Sequence, residues 1–418
     1  MDIFLKKLVP VTIFATISPI MNKTYDYLII GSGIMGLTMA YSIKQKQPNA
    51  SIVIADKEPK EAYHASSRNS GVLHAGFYYT ADSLKAKFTV EGSKRLKHFC
   101  RTKNIPLNEC GKLVVAQNEE EVEKLHELER RGKANGSNVR LIDVKEAEAI
   151  EPNVVTYKKA LYSPDTASVN PQEVCAHLKL DLIKEGVEFR FNTKYLNRHQ
   201  NTVTTSTGDI TAKKIINAGG LYADKIARDF GFGTRYTMIP FKGLYLKYTK
   251  NKTDVKINIY PVPNLKNPFL GVHFTKTVQG EIKIGPTAIP ALWRENYDNS
   301  NFNFGEFSQI MSHEARLFLK NSFGFRDLAF EEMQKYNKKY FVGLAQKMVK
   351  HIDPGGFTEF TKPGIRAQLL DIKESKLVQD FVVEGDKDSV HILNAVSPAF
   401  TCSFPFAEYV VEKFVLVV

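Results

Sequence analysis

At 418 residues, with 43% hydrophobic and 24% charged side chains, the chain can bury two interleaved cores and is too ordinary in composition to be disordered or fibrous. Its net charge of +12 comes from scattered lysines such as Lys85, Lys87, Lys94 and Lys97, with no basic block or aromatic–basic stripe, which argues against nucleic acid and leaves an anionic substrate or an anionic membrane face as partners. Cys100, Cys110, Cys175 and Cys402 have neither zinc spacing nor a disulfide framework, so the expectation is a reducing, cytoplasmic setting and no metal.

Residues 1–24 read as an extension. Lys6 and Lys7 precede the apolar run Leu8–Ile17, which is shorter than the roughly 20 residues a bilayer requires. Pro10 interrupts it and no clear cleavage site follows, so translation starting at Met21 is preferred over a weak membrane anchor. Tyr25–Ile30 then reads as a strand leading into Gly31-x-Gly33-x-x-Gly36, with Ile34 and Met35 inside the turn and a helix onward. Ser51–Ala55 forms a second strand, followed by Asp56 and Lys57. This is a βαβ dinucleotide site: a tight turn at Gly31, close backbone approach at Gly33, close packing at Gly36, and an acid for the ribose at Asp56. The triplet alone does not choose between NAD and FAD. His64-Ala-Ser-Ser67-Arg68-Asn69-Ser70-Gly71-Val72-Leu-His74 is polar, glycine-rich and aperiodic, and offers hydrogen-bond donors to a pyrophosphate or a ring edge.

Helical spacing marks Leu84–Thr102, Glu119–Asn135 and Pro171–Lys184. Strands are expected at Val187–Phe191, Val203–Ser206 and Lys213–Asn217, the last leading into Ala218-Gly219-Gly220. Residues 235–354 alternate apolar runs with Gly, Pro and Asn, then turn helical from Glu306 to Lys350. Stretches 25–80, 155–230 and 355–418 would build a discontinuous cofactor domain, and 81–154 and 235–354 a substrate or cap domain.

The Arg68-Asn69-Ser70-Gly71-Val72-x-His74-x-Gly76 run resembles that of the L-2-hydroxyglutarate oxidase/dehydrogenase family, within the D-amino-acid-oxidase-like superfamily. Pro268-Phe-Leu-Gly271-Val-His273-Phe-Thr275, Gly285-Pro286-Thr287-Ala288, Gly364-Ile365-Arg366-Ala-Gln368 and Asn394–Thr401 are similar to its later signatures, and the likeness runs from about Tyr25 to Lys413. The resemblance implies an α/β (α+β) fold, with a Rossmann-like FAD-binding domain interleaved with a substrate domain on a mostly antiparallel sheet. It implies FAD, with Ala218 and Gly219 near the pyrophosphate, Gly364 and Ile365 along the flavin, and Ser397, Pro398, Ala399 and Thr401 at the pyrimidine end. Two departures stand out. Lys242 replaces an arginine of the family's Pro-Phe-Arg-Gly, and Ser163–Asn170 lacks a common glycine, which puts the identity of the 2-hydroxy acid in doubt. Cys402 matches the late position at which some superfamily members tether flavin, although a free thiol is the simpler expectation.

The implied reaction is oxidation of an L-2-hydroxy acid, foremost L-2-hydroxyglutarate, by hydride transfer from Cα to flavin N5, with electrons passed to a quinone or to O2 and peripheral membrane association. The protein must orient the substrate and take the hydroxyl proton. His74 and His273 are the expected bases and Arg366 the first carboxylate clamp. Lys242, Arg68, Tyr245 and Thr275 are further substrate contacts. The alternatives are an amino-acid or glycerol-3-phosphate oxidase on the same scaffold, and a flavin-binding protein without turnover.

Overall fold

The computed structural model describes residues 23–263, 271–298 and 300–417. The N-terminal extension through Met21 and the Pro268–Leu270 part of one signature lie outside the described residues.

The apolar run Thr24–Ile30 sits in the middle of an eight-stranded sheet. It lies parallel to Ile52–Ala55 on one side and to Gly208–Asn217 on the other. Glu188–Arg190 and Ser389–Asn394 extend the parallel part outward. The hairpin Tyr195–His199/Thr202–Thr205 and the strand Val382–Gly385 are antiparallel additions. Central strands covered on both faces read as unbroken apolar runs, and all four residues of Ile52–Ala55 are buried. Leu37, Met39 and Ile43 of helix Ile34–Lys46 pack there with Phe404 and Phe406 of the last long helix, Ala399–Val410.

A second eight-stranded sheet runs Phe357–Phe360, Leu246–Tyr248, Ile282–Gly285, His273–Lys276, Asn258–Pro261, Lys112–Val115, Lys159–Ser163, Arg140–Asp143. Its neighbours are antiparallel, except that Asn258–Pro261 and Lys112–Val115 run parallel. In a smaller sheet, Tyr236–Gly243 pairs antiparallel with Gly364–Asp371 over their full lengths, from Tyr236 opposite Asp371 to Gly243 opposite Gly364. That register carries Arg366 and its neighbours.

Two segments fall on the other side of the expected division. Helix Leu84–Thr102, placed by sequence in the cap, buries Phe88, Leu96, Phe99 and Cys100 in the core of the first sheet. Strand Lys159–Ser163, placed with the cofactor stretch from 155, belongs to the second sheet. Periodicity shows that an element has an apolar face, not which sheet covers it. The last long helix also begins at Ala399 rather than near Phe404. Pro405 lies inside it; a proline has no N–H to give back to the carbonyl of Thr401, so the first turn is hidden by a residue that reads as a helix start.

Candidate active site

One cavity of about 1230 Å³ runs from the glycine turn to the second sheet. Its first end is made by backbone. Gly31 takes φ +105°, a left-handed conformation that other residues avoid. A Cβ on Gly36 would collide with the carbonyl of Gly31, so only glycine lets helix Ile34–Lys46 start this close to the strand. The helix has no side-chain cap at Gly33; instead Ser66 Oγ accepts from Ile34 N–H at 2.9 Å. The remaining first-turn N–H groups and the positive helix end suit an anionic group. Asp56 Oδ2 accepts from both the N–H and the hydroxyl of Ser32, each at 2.6 Å, and Oδ1 accepts from Glu58 N–H at 3.0 Å. These bonds fix the carboxylate at the cavity wall.

The other end is made by side chains. Thr401 Oγ1 accepts the His74 N–H at 3.2 Å, tying the polar loop to the last helix. His74 Nδ1 is buried without a hydrogen-bond partner among the described residues. His273 Nδ1 lies 2.8 Å from the Gly271 carbonyl oxygen, which requires Nδ1 to carry the proton and leaves Nε2 with a lone pair. Burial drives the His74 imidazole well below its usual pKa, and drives His273 down to about 3, so both are neutral near pH 7. Arg366 lines the same wall and donates to the Thr287 carbonyl at 3.2 Å. Tyr245 lines the same wall.

The family model for FAD dependent oxidoreductases matches residues 26–412. The chain belongs to that family. This oxidoreductase is similar to the L-2-hydroxyglutarate dehydrogenase of Escherichia coli K12, at 32% identity over 396 residues, covering 93% of each chain. The enzyme of that name from Indibacter alkaliphilus is 35% identical over 400 residues, covering 93% of this chain and 98% of the relative. The mitochondrial one of Mus musculus is 34% identical over 418 residues, covering 92% and 87%. Among solved structures, an FAD-bound L-α-glycerophosphate oxidase from Mycoplasma pneumoniae superposes with a TM-score of 0.73 at 23% identity, covering 93% and 94%. Glycine oxidase from Geobacillus kaustophilus gives 0.67 at 15%, covering 94% of each. These two show the fold, with its mixed α/β architecture.

The oxidoreductase's cofactor is FAD, and the cavity fits it. Its volume exceeds the roughly 300–1,000 Å³ of ordinary small-ligand pockets, and it offers a helix end for a pyrophosphate and a fixed carboxylate for a ribose. Of the residues expected from sequence, Gly31, Gly33, Ile34, Met35, Asp56, Lys57, Arg68, Asn69, Ser70, Val72, Ala218 and Gly219 line it. So do His74, Tyr245, His273, Gly364, Ile365, Arg366, Ser397, Pro398, Ala399 and Thr401.

Five expected residues do not. Gly36 and Gly71 act one layer back, where a Cβ would meet the carbonyls of Gly31 and Val169. Ser67 turns its hydroxyl toward the His64 carbonyl at 3.5 Å, while its neighbour Ser66 faces the cavity. Thr275 is fully buried behind the wall, two residues along the strand from His273. Lys242 stands opposite Ile365, one position along from the Phe241–Arg366 pair, and feels Asp298 rather than the cavity. Successive strand residues point to opposite faces, so Lys242 and the position opposite Arg366 cannot share a side. Cys402 is buried outside the cavity wall, with Sγ 3.3 Å from Thr89 Oγ1, and burial pushes its thiol up to about 12. That argues against a flavin tether.

Sequence reasoning missed Ser66, Tyr78 and Tyr260 as wall residues. Ser66 lies in the polar glycine-rich motif, one residue from the serine that the motif singles out. Glu58, His64 and Glu295 form a close group of possible metal ligands, but Lys57 pairs with both carboxylates, and His64 bonds Glu58 at 2.8 Å and the Tyr297 hydroxyl at 2.7 Å. The group reads as a closed ion-pair network. Among the described residues no helix is long and apolar enough to cross a membrane.

Proposed function

We propose that this oxidoreductase converts L-2-hydroxyglutarate to 2-oxoglutarate. One observation carries the reading: two neutral imidazoles and one guanidinium converge on the wall of the cavity that also holds the glycine turn. A hydroxy acid keeps its O–H proton at neutral pH, so its oxidation needs a proton acceptor as well as a hydride acceptor. Bound FAD supplies the two-electron acceptor for the hydride from Cα. Nε2 of His273 offers the lone pair for the hydroxyl proton, and His74 is the second acceptor on the same wall. Arg366 holds a substrate carboxylate through two parallel N–H bonds, which fix the orientation of Cα. Tyr245 and Arg68 complete the anion contacts. The relatives' shared name supports this choice of hydroxy acid.

The electrons then pass to a quinone at a membrane face, and the protein works on the inner surface of that membrane. What supports this is the helical insertion Phe304–Lys320 and Phe325–Gln334, which exposes Phe304, Leu319, Phe330 and Met333 at 72%, 78%, 54% and 61%. Lys320 and Arg326 lie among them, the mixture that seats a helix on an anionic interface. The test is steady-state turnover of L-2-hydroxyglutarate with a short-chain ubiquinone, with the product identified as 2-oxoglutarate, together with flotation on phosphatidylglycerol vesicles. Turnover with vesicle binding is expected. Loss of binding in Phe304→Ser/Leu319→Ser supports the docking face. Turnover with O2 but not with quinone refutes this acceptor.

A further inference from the structure

Helix Phe325–Gln334, largely exposed, turns one carboxylate inward: Glu332 is buried, and neither the cofactor turn nor the substrate contacts use it. Its Oε1 pairs with the ammonium of Lys335, also buried, which reaches Glu331 as well at 3.1 Å. Its Oε2 accepts the Ala288 N–H at 2.5 Å. Across the same peptide bond, the Thr287 carbonyl accepts from Arg366 Nη1 at 3.2 Å. That bond is trans, so its N–H and C=O point in opposite directions. One peptide unit therefore lies between a carboxylate and the guanidinium on the cavity wall.

Sheet pairing shows how far this peptide has to reach. Ile289 and Pro290 pair with Lys242 and Phe241, and Phe241 stands opposite Arg366 on the strand beyond. The peptide just ahead of Ile289 thus meets Arg366 across the strand Tyr236–Gly243. Thr287 Oγ1 donates to the Lys242 carbonyl at 2.9 Å and accepts the Leu244 N–H at 3.0 Å. Those bonds hold the threonine side chain but leave the next peptide plane to be set by its own two groups. Turning that plane over would aim a carbonyl oxygen at the Glu332 carboxylate and take the acceptor away from Arg366. The carboxylate opposes this, and by polarising the N–H it makes the carbonyl a better acceptor for the guanidinium. A buried ion pair is a weak source of stability compared with an apolar pair of the same size, so the Glu332–Lys335 pair is better explained by orientation. Burial works against the charge of Arg366, and Glu332 offsets part of that.

We propose that Glu332 is a positioning residue for the oxidation: by holding the Thr287–Ala288 peptide with its carbonyl toward Arg366, it sets the angle at which the guanidinium meets the substrate carboxylate. The inference rests on the hydroxy-acid reading above, in which Arg366 clamps that carboxylate. A bond at Nη1 fixes the guanidinium plane, and the fork offered to a carboxylate turns with that plane.

The test is a double-mutant cycle on the FAD-loaded enzyme, read as the second-order rate constant of anaerobic flavin reduction by L-2-hydroxyglutarate. Glu332→Met should lower that constant about tenfold in the wild-type background and less than about twofold in Arg366→Met, because a residue that acts through Arg366 has nothing left to position. Glu332→Gln can still accept from the Ala288 N–H and should lose no more than about threefold. A general loss of packing would lower the rate by the same factor in both backgrounds, and that result overturns the proposal. A wild-type rate in Glu332→Met overturns it too, as does a loss in Glu332→Gln equal to that in Glu332→Met. If Glu332→Met fails to hold FAD, Glu332→Met/Lys335→Met, which removes both buried charges, takes its place in the cycle with the same expected factors. If L-2-hydroxyglutarate does not reduce the wild-type flavin, the substrate reading fails, and the cycle is run with whichever of D-2-hydroxyglutarate, glycerol 3-phosphate and proline does. Equal losses in the two backgrounds there overturn Glu332 separately, and reduction by none of the four overturns both readings.

Discussion

At the glycine-turn end of the cavity the backbone shapes the site, through a left-handed Gly31 and a helix start whose Ile34 N–H is taken by Ser66, beside the Asp56 carboxylate locked by Ser32. At the second-sheet end the same cavity is lined by side chains whose state depends on burial, namely His74, His273, Tyr245 and Arg366. Backbone groups are neutral dipoles and do not titrate, so the glycine turn and the helix start should fail on shape rather than on pH. The second end should tolerate modest changes of shape and fail on charge.

The sharpest way to break that contrast is Arg366→Met. It should lower kcat/KM for L-2-hydroxyglutarate about 10³-fold, ~4 kcal/mol, as expected for truncating a buried charge contact. FAD content should be retained, as checked by the 450 nm to 280 nm absorbance ratio; loss of FAD would put Arg366 in the cofactor cradle instead. His273→Gln should follow with a fall of about 10²-fold in kcat and little change in KM, the signature of a lost proton acceptor. A rise in KM with kcat unchanged would point to substrate binding instead. At the other end, Gly31→Ala should raise the FAD dissociation constant roughly 10- to 100-fold through about 1–3 kcal/mol of backbone strain, with kcat of the reloaded enzyme nearly unchanged.

Stability should follow the buried titratable groups of both ends. His74, His273 and His391 are all held below the usual histidine range by burial, the last two to about 3 and about 4. The unfolded chain therefore binds more protons than the native one as pH falls below about 6.5, and stability is lost across the window down to the folded values. Glu58, held down to about 2 by its bond to His64, adds a loss of the same sign below the ordinary carboxylate range. The midpoint of thermal unfolding should drop steadily from pH 7 to pH 5; a midpoint that rises over that range refutes the assignment of neutral imidazoles. The smallest effect belongs to Lys242→Ala, which should change kcat/KM less than about threefold, because its ammonium lies off the cavity wall and an exposed-side charge contributes ~1 kcal/mol or less.

Much of the cofactor end is legible in the sequence because it is local. The glycine spacing, the strand before it and Asp56 after it define the turn within one short stretch, from Thr24 to Asp56. What is not legible depends on register. Lys242 reads as a substrate clamp from its motif, yet a strand's two-residue alternation turns it away from the wall that Arg366 lines. Ser66 rather than Ser67 caps the helix start for the same kind of reason: a turn decides which hydroxyl faces inward.

The central claim is tested most directly by mixing the FAD-loaded enzyme anaerobically with L-2-hydroxyglutarate and, separately, with the D-isomer, glycerol 3-phosphate and proline, while following the flavin band. The account requires rapid bleaching by the L-isomer alone, with one equivalent of 2-oxoglutarate formed per flavin. Bleaching by another of these compounds, with none by L-2-hydroxyglutarate, would contradict it.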